Sequence, residues 1–399
     1  MPQVRYRAAC MATDLPLQAF SYSAPTLVHF GPGSLARLGP ALKRLGVHRA
    51  LLVCDARLSE LDLGTRVAEA SLGRVAGVWT RVEPDAPRAS VEAAAEEARR
   101  LGADAIVALG GGSAMDTAKA AALLAPRGGD LARWEGVSKV EHRPLPVVAI
   151  PTTAGTGSEV SSVAVVKDDA LGRKLVILDR SLHPEVALLD PTLVVPLPPG
   201  MTAATGLEAL SRVIEGLVSA HRQPLGDAIG LECVRILRAW LPRANENPSD
   251  VEARGFTLLA SAMAGQVVSM GPSGVAHAAA NALGVGWGIH HGTASAALLP
   301  WSIRFNAGHA GAAAMYARCA AAFGVPAGKD DESTAHALAD AVERFAADLG
   351  LSTRLGALGV AAGDLKRLGE LAFADPSHAL NPVQVKDASA FSNALQTIL

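Results

Sequence analysis

The distribution of apolar and polar positions divides the chain into two halves. In the first half, short apolar runs alternate with amphipathic segments of helical period, which predicts an extended segment at 20–30 and strands at 49–55, 75–82, 105–109, 145–150 and 186–189. Strands that are apolar throughout are typical of a parallel sheet covered by helices on both faces. A hairpin of strands at 163–166 and 174–178 is also expected. The first half therefore predicts a doubly wound α/β domain.

Beyond residue 198 the strand patterns almost disappear. Prolines and a glycine interrupt the chain between Pro191 and Gly200, and helical periodicity then predicts helices at 203–219, 224–242, 251–270, 273–283, 292–304, 311–323, 334–349, 363–372 and 386–397. We therefore expect an N-terminal extension at 1–19, an α/β domain at 20–198 and an all-helical domain at 199–399. A junction of this kind is a favoured place for a ligand cleft.

The most specific chemical pattern follows the strand at 105–109. Gly110, Gly111 and Gly112 remove every side chain where the backbone turns, and a helix is predicted to begin at Ser113. Free N–H groups and the helix dipole then point at one spot, which predicts a phosphate site, most simply for the pyrophosphate of a dinucleotide. Two alternatives need no ligand: a tight turn, or a capping box formed by Ser113 and Asp116.

Composition excludes several classes of function. The 399 residues carry a formal net charge of −2, so no basic field attracts nucleic acid or an anionic membrane. No apolar run approaches the roughly 18 residues that a membrane span requires. The four cysteines have no C-x-x-C spacing, which favours free thiols in a reducing compartment. We expect a cytoplasmic protein that binds neither nucleic acid nor membrane.

Two longer motifs carry a family resemblance. Residues 110–119 (GGGSAMDTAK) resemble the G-G-G-S-x-x-D-x-A-K signature of the iron-containing (group III) alcohol dehydrogenases, and residues 151–159 (PTTAGTGSE) resemble the second signature of that family. Segments 204–206 and 292–300 align in the same order. The resemblance covers 20–399 and identifies the chain as a divergent member. It implies the dehydroquinate synthase-like fold, in which a Rossmann-like dinucleotide domain precedes an all-helical metal domain.

The resemblance also implies an activity and a cofactor site. Members transfer a hydride between NAD(P) and a small alcohol or carbonyl compound in the interdomain cleft, and they are usually dimers or larger oligomers. Asp55, which ends the first predicted strand (49–55), resembles the carboxylate that binds the adenosine ribose. A carboxylate there would accept from a 2′-hydroxyl and repel a 2′-phosphate, which favours NAD over NADP. The residues implied for cofactor binding are Asp55, Gly110, Gly111, Gly112, Ser113, Asp116, Thr152, Thr153, Thr156 and Lys174.

The metal site of the family is altered in this chain. Members usually hold divalent iron or zinc with an Asp and a His four residues apart and with two later histidines; these positions fall on Glu208, Arg212, His277 and His291. A further family histidine, near the nicotinamide, falls on Asn281. Arginine has no lone pair to offer a metal. Glu208, His277 and His291 remain as a three-ligand set, with His290 beside His291 leaving open which ring faces inward.

We therefore predict an NAD-dependent oxidoreductase that works without metal. Arg212 would polarise a carbonyl or hold an acidic substrate group, and His277 or His291 would supply the proton. One alternative is an iron or zinc enzyme using Glu208, His277 and His291. Another is an activity like that of the metal-independent maleylacetate reductases, from which the sequence departs at the second signature and at Arg212. A third is a cofactor-binding relative without catalysis.

Overall fold

The computed structural model describes residues 20–270 and 273–399; the predicted extension at 1–19 lies outside them. The strands are β1 (Leu27–Phe30), β2 (Ala50–Val53), β3 (Val75–Trp79), β4 (Ala105–Gly110), β5 (Gly136–Val137), β6 (Val147–Pro151), β7 (Val163–Asp168), β8 (Arg173–Leu178) and β9 (Val186–Leu189). The helices of the first half are α1 (Leu38–Arg44), α2 (Ala56–Glu60), α3 (Leu63–Ala70), α4 (Arg88–Leu101) and α5 (Gly112–Leu124).

A six-stranded parallel sheet organises the first half, in the order β1-β9-β6-β4-β2-β3. Successive residues of β4 point to opposite faces. Ile106 and Ala108 pack in a core cluster with α4 and α5, whereas Val107 and Leu109 pack in a second cluster with α1 and α3. The prediction of a parallel sheet covered on both faces is confirmed. The apolar character of the strands follows from this double burial.

The carboxyl edge of the sheet brings the two sequence motifs together. The parallel register pairs Gly110, the last residue of β4, with Pro151, the last residue of β6. β2 lies on the other side of β4 and pairs Val53 with Ala108, so that Asp55 follows at the same edge. Open α/β sheets bind ligands outside this edge, because loops and helix N-termini converge there.

The smaller β structure was predicted in outline. β7 and β8 form the expected antiparallel hairpin, and β5 adds a third strand beside β8. Helix α4 begins at Arg88, so Ser90 lies inside the helix, and its hydroxyl donates to the carbonyl of Arg81 at 3.1 Å. Its hydroxyl joins two parts of the chain instead of capping a helix end.

The second half is helical from residue 199 onward in the part of it that the structure describes. The helices are α6 (Pro199–Val218), α7 (Pro224–Glu246), α8 (Val251–Met270), α9 (Val275–Trp287), α10 (His291–Asn306), α11 (Ala310–Phe323), α12 (Asp331–Asp348), α13 (Leu365–Ala374) and α14 (Ala388–Leu395). α6 lies at the centre and packs against α7, α8 and α10. Among the described residues, none of the helices has the length and apolar character of a bilayer span. The domain division at residue 198 stays a prediction.

Candidate active site

The glycine turn forms a narrow cradle against the second motif. Gly110 has φ +148°, which favours glycine, and Gly111 precedes the first turn of α5 without a side-chain cap. A Cβ on Gly111 would lie 3.0 Å from the Thr153 side chain, and one on Gly112 would lie 2.5 Å from Cγ2 of Thr156. Because residues 111 and 112 carry no side chains, Thr153 and Thr156 can lie directly against the start of α5. The first N–H groups of this helix have no side-chain cap, which fits a phosphate group.

Ser113 and Asp116 do not form a capping box. Oγ of Ser113 accepts from the backbone N–H of Asp85 at 3.0 Å. The Asp116 carboxylate accepts from Oγ of Ser158 at 2.7 Å and from the N–H of Val165 at 3.3 Å. The capping-box alternative is therefore wrong, and α5 begins at Gly112, one residue earlier than predicted. Asp116 ties α5 to the second motif and to β7, and burial raises its pKa.

Two charged residues of the predicted cofactor site have protein partners. Lys174 Nζ forms an ion pair with Asp85 Oδ1 at 2.8 Å, which the sequence analysis did not identify. Asp55 Oδ1 caps α2 by accepting from the N–H of Leu58 at 2.8 Å. Within the described chain, Oδ2 of Asp55 has no protein partner, and the residue is partly exposed at the sheet edge. That Lys174 and Asp55 contact the cofactor stays a prediction.

Four polar residues of the helical half meet in one cluster. Glu208 and Arg212 lie one turn apart on α6, and Arg212 donates from Nη2 at 2.8 Å and from Nε at 3.2 Å to Oε1 of Glu208. Nε2 of His291 lies 3.9 Å from the same oxygen, and the ring centroids of His277 and His291 are 5.4 Å apart. His290 is exposed, so His291 is the inward-facing histidine of the pair.

These residues do not fit a divalent iron or zinc ion. The Glu208 oxygen nearest to His291 already accepts two hydrogen bonds from a guanidinium, which has no lone pair and repels a cation. Over residues 20–270 and 273–399, no three His, Cys, Asp or Glu side chains are placed to share a metal ion. The chemistry of this cluster is therefore that of its side chains alone.

The two imidazoles carry nitrogen atoms that lack partners. Nε2 of His277 and both ring nitrogens of His291 are buried, and no hydrogen-bond partner reaches them within the described chain. Burial lowers the pKa of His291 well below its usual value, and the charges of Lys174 and Arg212 lower it further. Buried polar atoms are rarely left unpaired in folded proteins. The ring nitrogens of His277 and His291 are therefore candidates to bind polar groups of a ligand.

One further residue, not predicted from the sequence, contacts the cluster. Glu215 is buried on α6 and its Oε2 is hydrogen-bonded to Nδ1 of His277, while its Oε1 accepts from the N–H of Ala276 at 2.7 Å. The available signal was the helical spacing, because positions 208, 212 and 215 share one face of α6. Asn281 lies apart from these residues and donates to Asp375 at 3.0 Å.

Buried charges also support the second motif. Lys119 donates from Nζ to the carbonyl oxygens of Ser158 at 2.9 Å, Ser161 at 3.3 Å and Val163 at 2.5 Å. Burial lowers the pKa of Lys119 to about 8. Burial also raises the pKa of Glu159 to about 7, and Oε1 of Glu159 has no hydrogen-bond partner in the described structure. The motif thus rests on a charged interior and not on an apolar one.

Comparison with known proteins agrees with this architecture. Residues 25–191 match the family described as "Iron-containing alcohol dehydrogenase", and residues 202–392 match "Fe-containing alcohol dehydrogenase family, C-terminal". The chain belongs to the iron-containing alcohol dehydrogenase family. It is 33% identical to the NAD-dependent methanol dehydrogenase of Bacillus methanolicus over 94% of this chain and 100% of that protein.

Solved structures of the family resemble the whole chain. An alcohol dehydrogenase from Oenococcus oeni superposes with a TM-score of 0.91 at 27% identity, covering 96% of this chain and 100% of the other. A sulfoacetaldehyde reductase from Bifidobacterium kashiwanohense, in complex with NAD+, superposes with a TM-score of 0.86 at 30% identity, covering 96% and 99%. The predicted fold, family and oxidoreductase class are confirmed, and the names of these relatives agree with the predicted NAD.

Proposed function

We propose that this protein is an NAD-dependent oxidoreductase that interconverts a small aldehyde or ketone and its alcohol without a metal ion. The observation that carries the proposal is the placement of Arg212, whose guanidinium is held by Glu208 beside His277 and His291. The resemblance to the family implies a metal at this position. A fixed cation of the protein then takes the electrostatic role of a metal ion.

The first half holds the cofactor in this proposal. The backbone N–H groups from Gly111 to Ser113 would bind the pyrophosphate, because the cradle beside Thr153 and Thr156 admits no side chain. Asp55 would accept from the adenosine ribose through Oδ2. When bound, NADH supplies the hydride. Lys174 is held beside the cradle by Asp85, so its charge is partly compensated.

Arg212 provides the electrophilic group for the substrate. Two of its N–H bonds are directed at Glu208, and the others meet no acceptor within the described structure. The side chain is 17% exposed, so a substrate oxygen can reach it. Hydrogen bonds from a fixed cation stabilise negative charge that develops on a carbonyl oxygen. His277 or His291 then supplies the proton that this oxygen needs.

An acidic aldehyde is the substrate class we favour. The arginine fork binds a carboxylate or sulfonate as well as a carbonyl. The sulfoacetaldehyde reductase among the structural relatives, 30% identical to this chain, is named for an anionic aldehyde. Recognition of an anion next to the reacting carbonyl would orient the substrate in the cleft.

The primary test combines metal analysis with a substrate panel. Purified protein is incubated with Fe²⁺ or Zn²⁺, dialysed and assayed for bound metal, and NADH oxidation is measured with neutral and acidic aldehydes. We expect NADH binding, less than stoichiometric metal, and higher kcat/KM for acidic aldehydes. Stoichiometric iron or zinc would contradict metal independence. Tight NADH binding with no aldehyde reduced would instead support the catalytically silent alternative.

Arg212→His tests the metal position directly. Replacing the guanidinium by an imidazole one turn from Glu208 restores a ligand pair, so we expect the variant to bind Zn²⁺ and the activity of the unloaded protein to fall. Arg212→Gln is the matched control, because it removes the charge without adding a metal ligand. Metal binding by neither variant would show that Glu208 and the histidines cannot converge on an ion. Equal metal binding by both variants would show that the positive charge of Arg212 alone excludes the metal ion.

A further inference from the structure

Glu215 holds one edge of the His277 ring. The carboxylate is buried, with 1% of its side chain exposed, and its two oxygens have different partners. Oε2 is hydrogen-bonded to Nδ1 of His277, and Oε1 accepts from the N–H of Ala276 at 2.7 Å in the first turn of α9. A helix N-terminus favours an anion at this place.

The local packing is shaped around this carboxylate. A Cβ on Gly274, the residue before α9, would lie 2.7 Å from Oε1 of Glu215 and 2.8 Å from Oδ1 of Asn381. Asn381 is itself fixed, because its Nδ2 donates to Asn306 at 2.7 Å and to the carbonyl of Val383 at 2.7 Å. Glu215 therefore has little freedom to move away from His277.

This contact determines the tautomer of His277. A carboxylate only accepts hydrogen bonds, so Nδ1 must carry the hydrogen and the neutral ring must keep its lone pair on Nε2. Nε2 is buried and has no partner within the described residues. It belongs to the ring edge opposite Glu215, in the cluster with His291 and Arg212.

His291 has no comparable partner. Neither of its ring nitrogens is hydrogen-bonded in the described structure, and its nearest carboxylate oxygen, on Glu208, is 3.9 Å away and bonded to Arg212. Nothing in the cluster fixes its tautomer. The protein therefore sets the tautomer of His277 before the substrate binds but does not set that of His291, a difference that the sequence alone does not show.

We propose that Glu215 is a positioning residue for the reaction, and this rests on the proposed function. It holds His277 in the tautomer whose Nε2 faces the reacting oxygen. In alcohol oxidation Nε2 accepts the hydroxyl proton, and in aldehyde reduction the ring, protonated from solvent, returns that proton to the alkoxide left by hydride transfer, so His277 and not His291 orients this oxygen beside Arg212. Residues that orient a functional histidine through its second nitrogen commonly change activity about 10- to 100-fold when replaced. We expect replacement of Glu215 to lower the activity by a factor in this range.

The direct test reads the tautomer by NMR. In Glu215→Gln, the amide oxygen can still accept from Ala276, which turns the amide NH2 toward Nδ1 of His277 and forces the hydrogen onto Nε2. Imidazole ¹⁵N shifts of histidine-labelled protein report this, with the His277 signals assigned by their loss in His277→Gln. We expect hydrogen on Nδ1 alone in the wild type and on Nε2 in the variant. Hydrogen on Nε2 in the wild type overturns the proposal.

Kinetics separate positioning from a structural role. Glu215→Gln should lower kcat about 10- to 100-fold with unchanged NADH affinity, and Glu215→Asp should recover part of it. Ser211→Ala, on the same helix, is the control and should leave kcat unchanged, because Oγ of Ser211 is buried and has no hydrogen-bond partner among the described residues.

A double-mutant cycle completes the test. If Glu215 acts through His277, Glu215→Gln should have no further effect in a His277→Gln background but its full effect in a His291→Gln background. A full effect in both backgrounds overturns the proposal. If the wild-type protein reduces no aldehyde, the proposed function has failed, and the NMR measurement still decides whether Glu215 sets the tautomer.

Discussion

Single side chains determine the chemistry at two places in the molecule. On α6, the guanidinium of Arg212 is bonded to Glu208 and places a permanent positive charge, which cannot bind a metal ion, in the cluster with His291. At the end of the second motif, Glu159 has a buried carboxyl whose Oε1 has no hydrogen-bond partner in the described structure. Burial penalises its charged form, so its protonation is linked to folding.

Glu159 should make stability depend on pH. Burial raises its pKa from the ordinary 4.5 to about 7, so the folded state binds more protons than the unfolded state between these values. Stability from this group is fully present below pH 4.5 and is lost as pH rises through 7. Deprotonation of Glu159 lowers the free energy of unfolding by up to about 3 kcal/mol across this window, and Glu159→Gln should remove this decrease. Urea unfolding from pH 5 to pH 8 measures it.

The matched control is Glu60→Gln, since Glu60 is an exposed glutamate of α2. This control should follow the pH dependence of the wild-type protein. If Glu159→Gln also keeps the wild-type dependence, the carboxyl of Glu159 is not the group responsible.

At the level of elements, the turn between β4 and α5 depends on the loop after β6. The register of the sheet places these two connections side by side, and the threonine side chains of one fill the space that the glycines of the other leave open. Neither element forms the phosphate cradle by itself. The cradle is a property of their contact.

Gly112→Ala should close this cradle. The new Cβ would lie 2.5 Å from Cγ2 of Thr156, so the loop must shift, and overpacking of this kind costs about 1–3 kcal/mol. We expect NADH affinity to fall by about tenfold or more. Thr156→Ser removes Cγ2 but keeps the hydroxyl, which accepts from the N–H of Ser158 at 3.2 Å.

The double variant Gly112→Ala, Thr156→Ser should therefore recover part of the lost affinity, and Thr156→Ser alone should bind NADH like the wild type. Fluorescence titration measures all three. No loss of affinity in Gly112→Ala would mean that the cradle does not contact the cofactor.

At the level of the whole molecule, the two halves touch backbone to backbone. Gly157 of the second motif has φ +62°, and a Cβ there would lie 2.5 Å from Cα of Gly265 on α8. A Cβ on Gly265 would lie 2.1 Å from the carbonyl oxygen of Gly157. Two glycines therefore allow the loop and the helix to approach more closely than any side chain permits.

Gly265→Ala should separate the two halves. Because the obstructing atom belongs to the backbone, no rotamer change relieves the clash, and we expect a loss of about 1–3 kcal/mol or more in the free energy of unfolding. Gly200→Ala is the control, since nothing lies within 4 Å of a Cβ at this exposed helical position. Thermal and urea unfolding of both variants measure the effect. Equal stability would mean that the contact is not tight in solution.

Local patterns in the sequence were enough to predict the order of the main strands and helices and most residues of the candidate site. Buried parallel strands must be apolar on both faces and amphipathic helices must repeat every 3.6 residues, so both leave local patterns that can be read directly. Local spacing also placed Glu208 and Arg212 on one face of α6, and the glycine turn at a helix N-terminus. Each of these features depends on residues close together along the chain.

Tertiary structure decided which of those side chains work together. Glu215 and His277 are 62 residues apart, and Lys174 and Asp85 are 89 apart, so no local pattern records their pairing. The choice of His291 over His290 as the inward ring likewise depends on how α10 begins against α6. Charges and hydrogen bonds act through space, and the distances they need are set only when the elements pack.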